Sequence, residues 1–140
     1  MQQVPVAPNI VQQMLGGDHW IVTWVDLHKK NVWIYDSLVA VRDDKTYKDK
    51  FKPLEVIFPR WLEDIEFYNV RHDLRNADPW NVKICKGVPQ QEHGSGDCGV
   101  FMLMITMYLM FGLRLNFTSG HGQYFRNKIV VDIFNGDIGL

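Results

Sequence analysis

The feature that most constrains this chain is a polar, glycine-rich stretch that changes abruptly into an apolar run. Residues 88–99 read VPQQEHGSGDCG, and residues 100–113 are almost wholly apolar, interrupted by Thr106 and Gly112. The run is longer than an ordinary strand but shorter than the about 20 residues that cross a bilayer. It therefore predicts a buried central helix, with Leu103 in the core, and no membrane partner.

Cys98 stands where the polar stretch meets this predicted helix. Free backbone N–H groups and the helix dipole favour an anion at a helix N-terminus, and thiols in such positions are partly ionised near neutral pH. Asp97 belongs to the residue types that commonly cap helices, and the neighbouring glycines allow a sharp turn close to a substrate. Because free cysteines are most often buried packing residues, Cys98 indicates catalysis only together with other residues.

Composition favours one globular domain over residues 1–140 in a reducing compartment. Hydrophobic residues make up 46% of the chain and charged residues 22%, and the net charge of −1 argues against a general nucleic-acid or membrane-surface binder. The two cysteines, Cys85 and Cys98, are too few for a disulfide framework or a structural zinc site. The N-terminus lacks the pattern of a signal peptide, so we expect a nuclear or cytoplasmic location.

The order of predicted elements is typical of an α+β domain with a small mixed sheet packed on helices. Residues 19–27 and 32–35 are rich in β-branched and aromatic residues and predict an antiparallel hairpin, and residues 80–85 predict a third strand. Val4–Val6 is a candidate edge strand, and Gly16–Asp18 a turn.

Two further helices are predicted from apolar spacing. One covers residues 54–68, where Pro59 is expected to begin or kink a segment. The other covers residues 123–135 and ends at Gly136. Its inward residues are expected to be Phe125, Ile129, Val130, Ile133 and Phe134.

A cysteine nucleophile needs a base, a group that orients the base, and donors for the developing oxyanion. His19 opens the first strand of the hairpin, Asp36 closes the second, and the side-chain amide of Gln91 precedes Cys98 in the glycine-rich stretch. Each has an ordinary alternative: a satisfied histidine, a strand-ending turn and a solvated loop. His93, His121, Asp18 and Cys85 have only such ordinary interpretations.

Hairpin geometry does not by itself bring His19 and Asp36 together. A two-residue turn at residues 29–30 would place Asp36 opposite Thr23, which is about 13 Å along the strand from His19. A bulge, a splay of the strands or a different register must close that gap.

Three blocks of sequence together resemble the ubiquitin-like-protein proteases, the ULP or SENP family of SUMO-processing cysteine peptidases. The order His, Asp, Gln, Cys and the gap of 17 residues from His19 to Asp36 match that family. The sequences of the loops resemble its plant, transposon-associated branch. The blocks are His19-Trp20, Tyr35-Asp36-Ser37-Leu38, and Pro89-Gln90-Gln91 followed by Asp97-Cys98-Gly99-Val100-Phe101.

The resemblance implies a papain-like cysteine protease architecture and a role for each residue. His19 would be the general base, Asp36 would orient it, Cys98 would be the nucleophile and Gln91 would line the oxyanion hole. The loop before Cys98 is one residue longer than the commonest family spacing, so Gln90 remains an alternative to Gln91. Trp20 would line a narrow channel for a Gly-Gly tail.

The implied function is cleavage after the C-terminal Gly-Gly of SUMO or a related ubiquitin-like modifier, without metal or cofactor. The expected partners are that modifier and its conjugates. Only 18 residues precede His19, where the family carries a sizeable N-terminal portion, so we expect residues 1–140 to be the C-terminal portion of one catalytic domain. Two alternatives stay open: a catalytically impaired fragment that acts as a modifier-binding or interaction module, and a structural domain with a buried Cys98.

Overall fold

A mixed four-stranded sheet lies at the centre of the molecule, in the strand order β1-β2-β3-β4. The structure is a computed structural model that describes residues 9–15, 19–38 and 44–137, the first of these ranges by its backbone. Antiparallel pairing joins β1 to β2 and β2 to β3, whereas β4 runs parallel to β3. The strands are β1 (Asn9–Leu15), β2 (His19–Asp26), β3 (Asn31–Tyr35) and β4 (Asn81–Ile84).

Helices fill the parallel crossover from β3 to β4 and the chain after β4, which confirms the predicted α+β class. Short 3-10 turns at His72–Leu74 and Ser119–His121 connect some of them. The helices are α1 (Asp44–Phe51), α2 (Leu54–Asp64), α3 (Phe67–Val70), α4 (Cys98–Met110) and α5 (Gly122–Asn135).

The strand β1 was missed by the sequence analysis, which expected an edge strand at residues 4–6. Those residues, and the turn expected at residues 16–18, lie outside the described residues. The sequence of β1, NIVQQML, has two adjacent glutamines that hide its strand pattern, although each residue pairs with one of β2. The predicted third strand is therefore the fourth, and it occupies an edge next to β3.

The turn between β2 and β3 sets the register that the site needs. It spans four residues, 27–30, instead of the two expected, and Lys30 completes it in the left-handed region at φ 54°. Asp26 pairs with Asn31 and Val22 with Tyr35. Continued by one residue, this register places Asp36 opposite residue 21, only about 7 Å along β2 from residue 19.

The sheet separates two apolar cores, because successive side chains of a strand point to opposite faces. On one face Ile21 and Val25 of β2 pack with α1, α2 and α3. On the other face Val22 packs with Phe101 of α4 and Phe125 of α5. The catalytic candidates lie at the end of the sheet where β2 begins and β3 ends.

The predicted central helix is confirmed as α4, but one detail is wrong. Phe101, Met104 and Ile105 are at most 1% exposed, whereas Leu103 is 38% exposed. Leu103 thus lies on the side of α4 that turns away from the sheet.

The predictions for α2 and α5 also need correction. Pro59 lies inside α2, which begins directly after Pro53, so Pro59 does not begin a segment. Gly136 ends α5 in the left-handed conformation as expected, and Phe125 is buried. Val130, Ile133 and Phe134 are 67%, 68% and 89% exposed, because only the first part of α5 packs against the second core.

Candidate active site

His19 and Asp36 form a buried hydrogen-bonded pair at the end of the hairpin. The Nε2 atom of His19 lies 2.6 Å from Oδ1 of Asp36, and the two residues are 6% and 0% exposed. The four-residue turn, not a bulge, brings them together. His19 and Asp36 face the same side of the sheet at a diagonal offset that such side chains bridge.

Two further donors hold the Asp36 carboxylate. The backbone N–H of Leu38 donates to Oδ1 at 2.8 Å, and the hydroxyl of Tyr47 on α1 donates to Oδ2. A buried carboxylate needs such donors because burial removes its water. The sequence analysis did not identify Tyr47, which lies in a highly charged segment whose only hint was the pair of aromatic residues at positions 47 and 51.

The second ring nitrogen of His19 is buried and has no hydrogen-bond partner among the described residues. Because a carboxylate accepts and Nε2 faces it, Nε2 carries the proton of the neutral ring. The lone pair on Nδ1 is then available to take a proton from another group. A buried imidazole oriented in this way is typical of a general base.

The two glutamines of the glycine-rich stretch have different positions. Gln90 donates both hydrogens of its amide nitrogen, to the backbone oxygens of Asp36 at 3.0 Å and Val88 at 2.9 Å. Gln91 donates its backbone N–H to the carbonyl of Ser37 at 3.0 Å, and its Oε1 accepts from the Ser37 hydroxyl at 3.3 Å. The amide nitrogen of Gln91 has no acceptor among the residues that the structure describes, so Gln91 is the one with donors to offer.

Cys98 is the first residue of α4, as the sequence predicted, and it is buried. The first turn of α4 rests on Trp20, since a Cβ placed on Gly99 would lie 3.9 Å from Cδ1 of that ring. Trp20 is half-buried and directly follows His19 in β2. The structure therefore brings the start of α4 to the end of β2 that carries His19.

Asp97 occupies the cap position of α4, but its side chain makes no capping hydrogen bond, so this prediction is wrong. Its Oδ1 instead accepts from Nε and Nη2 of Arg126 on α5, at 2.8 and 2.6 Å. Arg126 also donates to the carbonyl of Gly96 at 3.2 Å. Sequence spacing gave no signal for this pair, because 29 residues separate its members.

The other cysteine and histidine residues considered in the sequence have surroundings that suggest no part in the site. Burial raises the pKa of the Cys85 thiol, which keeps it protonated near neutral pH and less reactive than an exposed thiol. Burial, with the neighbouring Cys85 thiol, also raises the pKa of Tyr35 to about 12. The ring of His121 contacts Thr118, and Asp18 lies outside the described residues.

Neither a metal centre nor a membrane span is found in the described ranges. Residues 19–38 and 44–137 contain no group of three or more His, Cys, Asp or Glu side chains that could hold a metal ion. None of the helices described is long and apolar enough to cross a bilayer.

A buried histidine–carboxylate pair at a sheet end, beside a helix that begins with cysteine, is a form that cysteine hydrolases use. The comparison with known families is more specific. The model of the Ulp1 protease family, C-terminal catalytic domain, matches residues 8–138, so the chain belongs to that family.

Curated relatives agree with this assignment. A sentrin-specific protease of Caenorhabditis elegans is 26% identical over 117 residues, which are 84% of this chain and 15% of the relative. The ubiquitin-like-specific protease ESD4 of Arabidopsis thaliana is 36% identical over 58 residues, 41% of this chain and 12% of the relative. The chain thus spans a small part of the curated relatives that it matches.

Solved structures show the same fold. The catalytic domain of the Ulp1-like SUMO protease of Chaetomium thermophilum aligns with a TM-score of 0.65 and 20% identity, over 96% of this chain and 48% of that domain. The C-terminal Ulp1 protease domain in complex with Smt3, the yeast ortholog of SUMO, aligns with a TM-score of 0.56 and 22% identity, over 86% and 49%. The chain covers about half the length of each solved domain.

Proposed function

We propose that this chain is the catalytic portion of a cysteine peptidase or isopeptidase that cleaves after the C-terminal Gly-Gly of SUMO or a related modifier. The observation that carries the proposal is the buried His19–Asp36 pair with Nδ1 available, beside the helix that Cys98 begins. The names of the relatives, a sentrin-specific protease and a ubiquitin-like-specific protease, support the substrate class.

His19 takes the proton of the Cys98 thiol on Nδ1, and the thiolate attacks the carbonyl carbon of the terminal glycine. Asp36 accepts a hydrogen bond from the Nε2–H group and stabilises the imidazolium that forms. Tyr47 and the Leu38 amide hold the carboxylate in place, so that the imidazole keeps one tautomer and one orientation.

The attacked carbonyl oxygen becomes an oxyanion that needs donors. The amide nitrogen of Gln91 and the backbone N–H of Cys98 supply them, because Ser37 fixes Gln91 through two hydrogen bonds. The tetrahedral species collapses to a thioester, and the imidazolium gives its proton to the leaving amine. Water, deprotonated by His19, then attacks the thioester, releasing the glycine carboxylate and the Cys98 thiol.

Trp20 contributes the specificity for glycine in this proposal. Its ring lies against the first turn of α4, beside the residue that supplies the nucleophile. A chain that passes between the ring and the sulfur has little room for a Cβ, and only glycine lacks one. Substitution of the last glycine of the modifier by alanine should therefore reduce cleavage more than substitution further back.

The test is turnover of SUMO carrying a C-terminal fluorogenic amide, compared between the wild-type chain and the variants Cys98→Ser and His19→Ala. Both variants should lose turnover while their far-UV circular dichroism stays close to wild type. Cys98→Ser should also keep the melting temperature, whereas His19→Ala should lower it, because it removes a donor to the buried Asp36 carboxylate. The variant Cys85→Ser is the matched control, and it should keep turnover. Binding of SUMO without any turnover would overturn the proposal and favour an interaction module.

We further propose that residues 1–140 belong to a single catalytic domain of nuclear or cytoplasmic location, from the plant, transposon-associated branch of the family. The family match over residues 8–138 supports one domain. The match to the Arabidopsis relative, 36% identical over 58 residues, supports a plant branch.

A further inference from the structure

The side chain of Asp97 does not cap α4, although Asp97 stands at the cap position. Aspartate at a helix cap position ordinarily accepts a hydrogen bond from the second or third backbone N–H of the helix. Here those amides belong to Gly99 and Val100, and they have no acceptor among the described residues. The carboxylate turns toward α5 instead.

Two residues of α5 form the receptor for this carboxylate. Arg126 donates twice to Oδ1, at 2.8 and 2.6 Å, and Gly122 leaves the space that Oδ2 occupies. A Cβ on Gly122 would lie 2.8 Å from Oδ2 of Asp97, closer than Cβ atoms approach other atoms in proteins, and 3.2 Å from Cγ, which is also tight. The side chain of Asp97 is only 17% exposed, so water does not replace these contacts.

We propose that Arg126 and Gly122 are positioning residues that keep the Asp97 carboxylate off the N-terminus of α4. The proposal rests on the catalytic role assigned to Cys98. With the carboxylate held on α5, the amides at the start of α4 and the positive end of its dipole act on the Cys98 sulfur alone. A carboxylate bound to the same amides would compete with the thiolate for them and repel it.

A double variant distinguishes this role from simple anchoring of the glycine-rich stretch to α5. If Arg126 only tied the glycine-rich stretch to α5, removing either partner would have the same effect. If Arg126 holds a harmful carboxylate away, removing Arg126 harms the site only while Asp97 is present. The two roles therefore predict different behaviour for the variant that lacks both residues.

The experiment measures the rate at which iodoacetamide alkylates Cys98 at neutral pH, followed by peptide mass spectrometry with Cys85 as the internal reference. Arg126→Gln should slow the reaction by about three- to tenfold, the range expected for charges at a helix end. Arg126→Lys, which keeps the charge, should recover most of the rate. Arg114→Gln is the matched control, since it removes an exposed arginine outside the site, and its rate should equal wild type.

The decisive comparison is the double variant Asp97→Ala with Arg126→Gln. It should alkylate within about twofold of Asp97→Ala and faster than Arg126→Gln, because no carboxylate remains to occupy the helix end. Equal slowing by Asp97→Ala and Arg126→Gln, with no recovery in the double variant, would overturn the proposal in favour of anchoring.

Gly122→Ala supplies a second route to the same state, because the added Cβ displaces Oδ2 without removing a charge. It should slow alkylation as Arg126→Gln does, and an unchanged rate would contradict the receptor. Turnover of the SUMO substrate should fall in kcat with KM nearly constant. Alkylation needs no peptidase activity, so an inactive wild-type chain with these alkylation rates would reject the proposed function and leave this inference intact.

Discussion

At the scale of single residues, the candidate site depends on how the buried Asp36 carboxylate is held. Its three donors are His19, the Leu38 amide and Tyr47, which lies on α1, the first helix of the crossover from β3 to β4. Removing one donor leaves a buried lone pair without a partner, which is more harmful than removing a surface hydrogen bond.

We therefore expect Tyr47→Phe to lower the free energy of unfolding by about 1–3 kcal/mol, the usual effect of an unsatisfied buried polar group. A looser carboxylate would orient the His19 ring less well, and kcat should fall by about tenfold, which corresponds to about 1.4 kcal/mol. Urea unfolding and turnover of the SUMO substrate measure the two effects. Tyr124→Phe, at an exposed tyrosine, is the control. A Tyr47→Phe enzyme with normal kcat would show that the hydroxyl does not position the site.

The two adjacent glutamines should respond differently to alanine substitution. Gln91→Ala should reduce kcat by about 10²–10³, as expected for a lost oxyanion donor. It should cost less stability than Gln90→Ala, because it removes one side-chain hydrogen bond, to Ser37, instead of two. Gln90→Ala should lower the melting temperature, because it breaks two hydrogen bonds to backbone oxygens. Steady-state kinetics and thermal unfolding of both variants provide the check. The reverse pattern would assign the oxyanion role to Gln90.

The sequence predicted the candidate catalytic residues and missed those that support them. His19, Asp36, Gln91 and Cys98 stand in short blocks whose residue types are rare enough together to be informative. Tyr47 and Arg126 act through contacts that span 11 and 29 residues. No local pattern encodes such contacts, because they depend on how the helices pack on the sheet.

At the scale of elements, α4 links the site to the second core. Its buried side is formed by Phe101, Met104 and Ile105, whereas Leu103 is partly exposed. This difference within one helix allows a matched pair of substitutions.

Met104→Asp should unfold the domain or reduce its stability by several kcal/mol, since it places an unpaired charge in the core. Leu103→Asp, one residue earlier, should have a much smaller effect because its carboxylate reaches water. Circular dichroism melts of the two variants measure the difference. Equal destabilisation would mean that the orientation of α4 differs from the one described here.

The burial of Tyr35, beside Cys85 at the ends of β3 and β4, should make the protein sensitive to alkaline pH. The pKa of Tyr35 is about 12 in the folded protein and about 10 in an unfolded chain. Above pH 10 the unfolded chain loses this proton and the folded protein keeps it, so stability falls as the pH rises toward 12.

We expect Tyr35→Phe to reduce the loss of stability between pH 9.5 and 11.5. Melting temperatures recorded through that range, for wild type and variant, measure it. Tyr124→Phe is again the control, at an exposed tyrosine. Parallel curves for wild type and Tyr35→Phe would contradict the burial argument.

Elements were predictable where the sequence pattern and the environment agree. The strands β2 and β3 have strong apolar patterns and are buried as those patterns imply, and so is α4 from Phe101 to Ile105 apart from Leu103. The strand β1 has a weak pattern and is fixed by pairing with β2, which is a tertiary effect. The residues of α5 have an apolar pattern that this structure leaves exposed, so periodicity alone could not reveal their surroundings.

At the scale of the whole molecule, one group of exposed apolar residues lies at the end of α5, as others do on α2 and at the end of α4. Val130, Ile133 and Phe134 are 67%, 68% and 89% exposed, and they lie within five consecutive residues. Contiguous apolar surface of this kind promotes association in water.

We expect the isolated chain to self-associate at high concentration through this surface. Replacing Val130 and Phe134 by lysine should reduce association without lowering the melting temperature, because neither side chain belongs to a core. Light scattering and sedimentation at several concentrations measure association. Ile105→Lys, in the core, should lower stability instead. Unchanged association in the double lysine variant would assign the association to another surface.

The glycine-rich stretch is fixed at both ends and exposed between them. Gln91 is bound to Ser37 at one end and Asp97 to Arg126 at the other, while residues 92–96 are exposed and Gly94 and Gly96 adopt positive φ. An insertion in residues 92–96 would lengthen this exposed loop and leave the contacts at its two ends in place. The catalytic geometry should therefore tolerate insertions there, which makes the loop a natural place for related enzymes to diverge and for an engineered tag to be added.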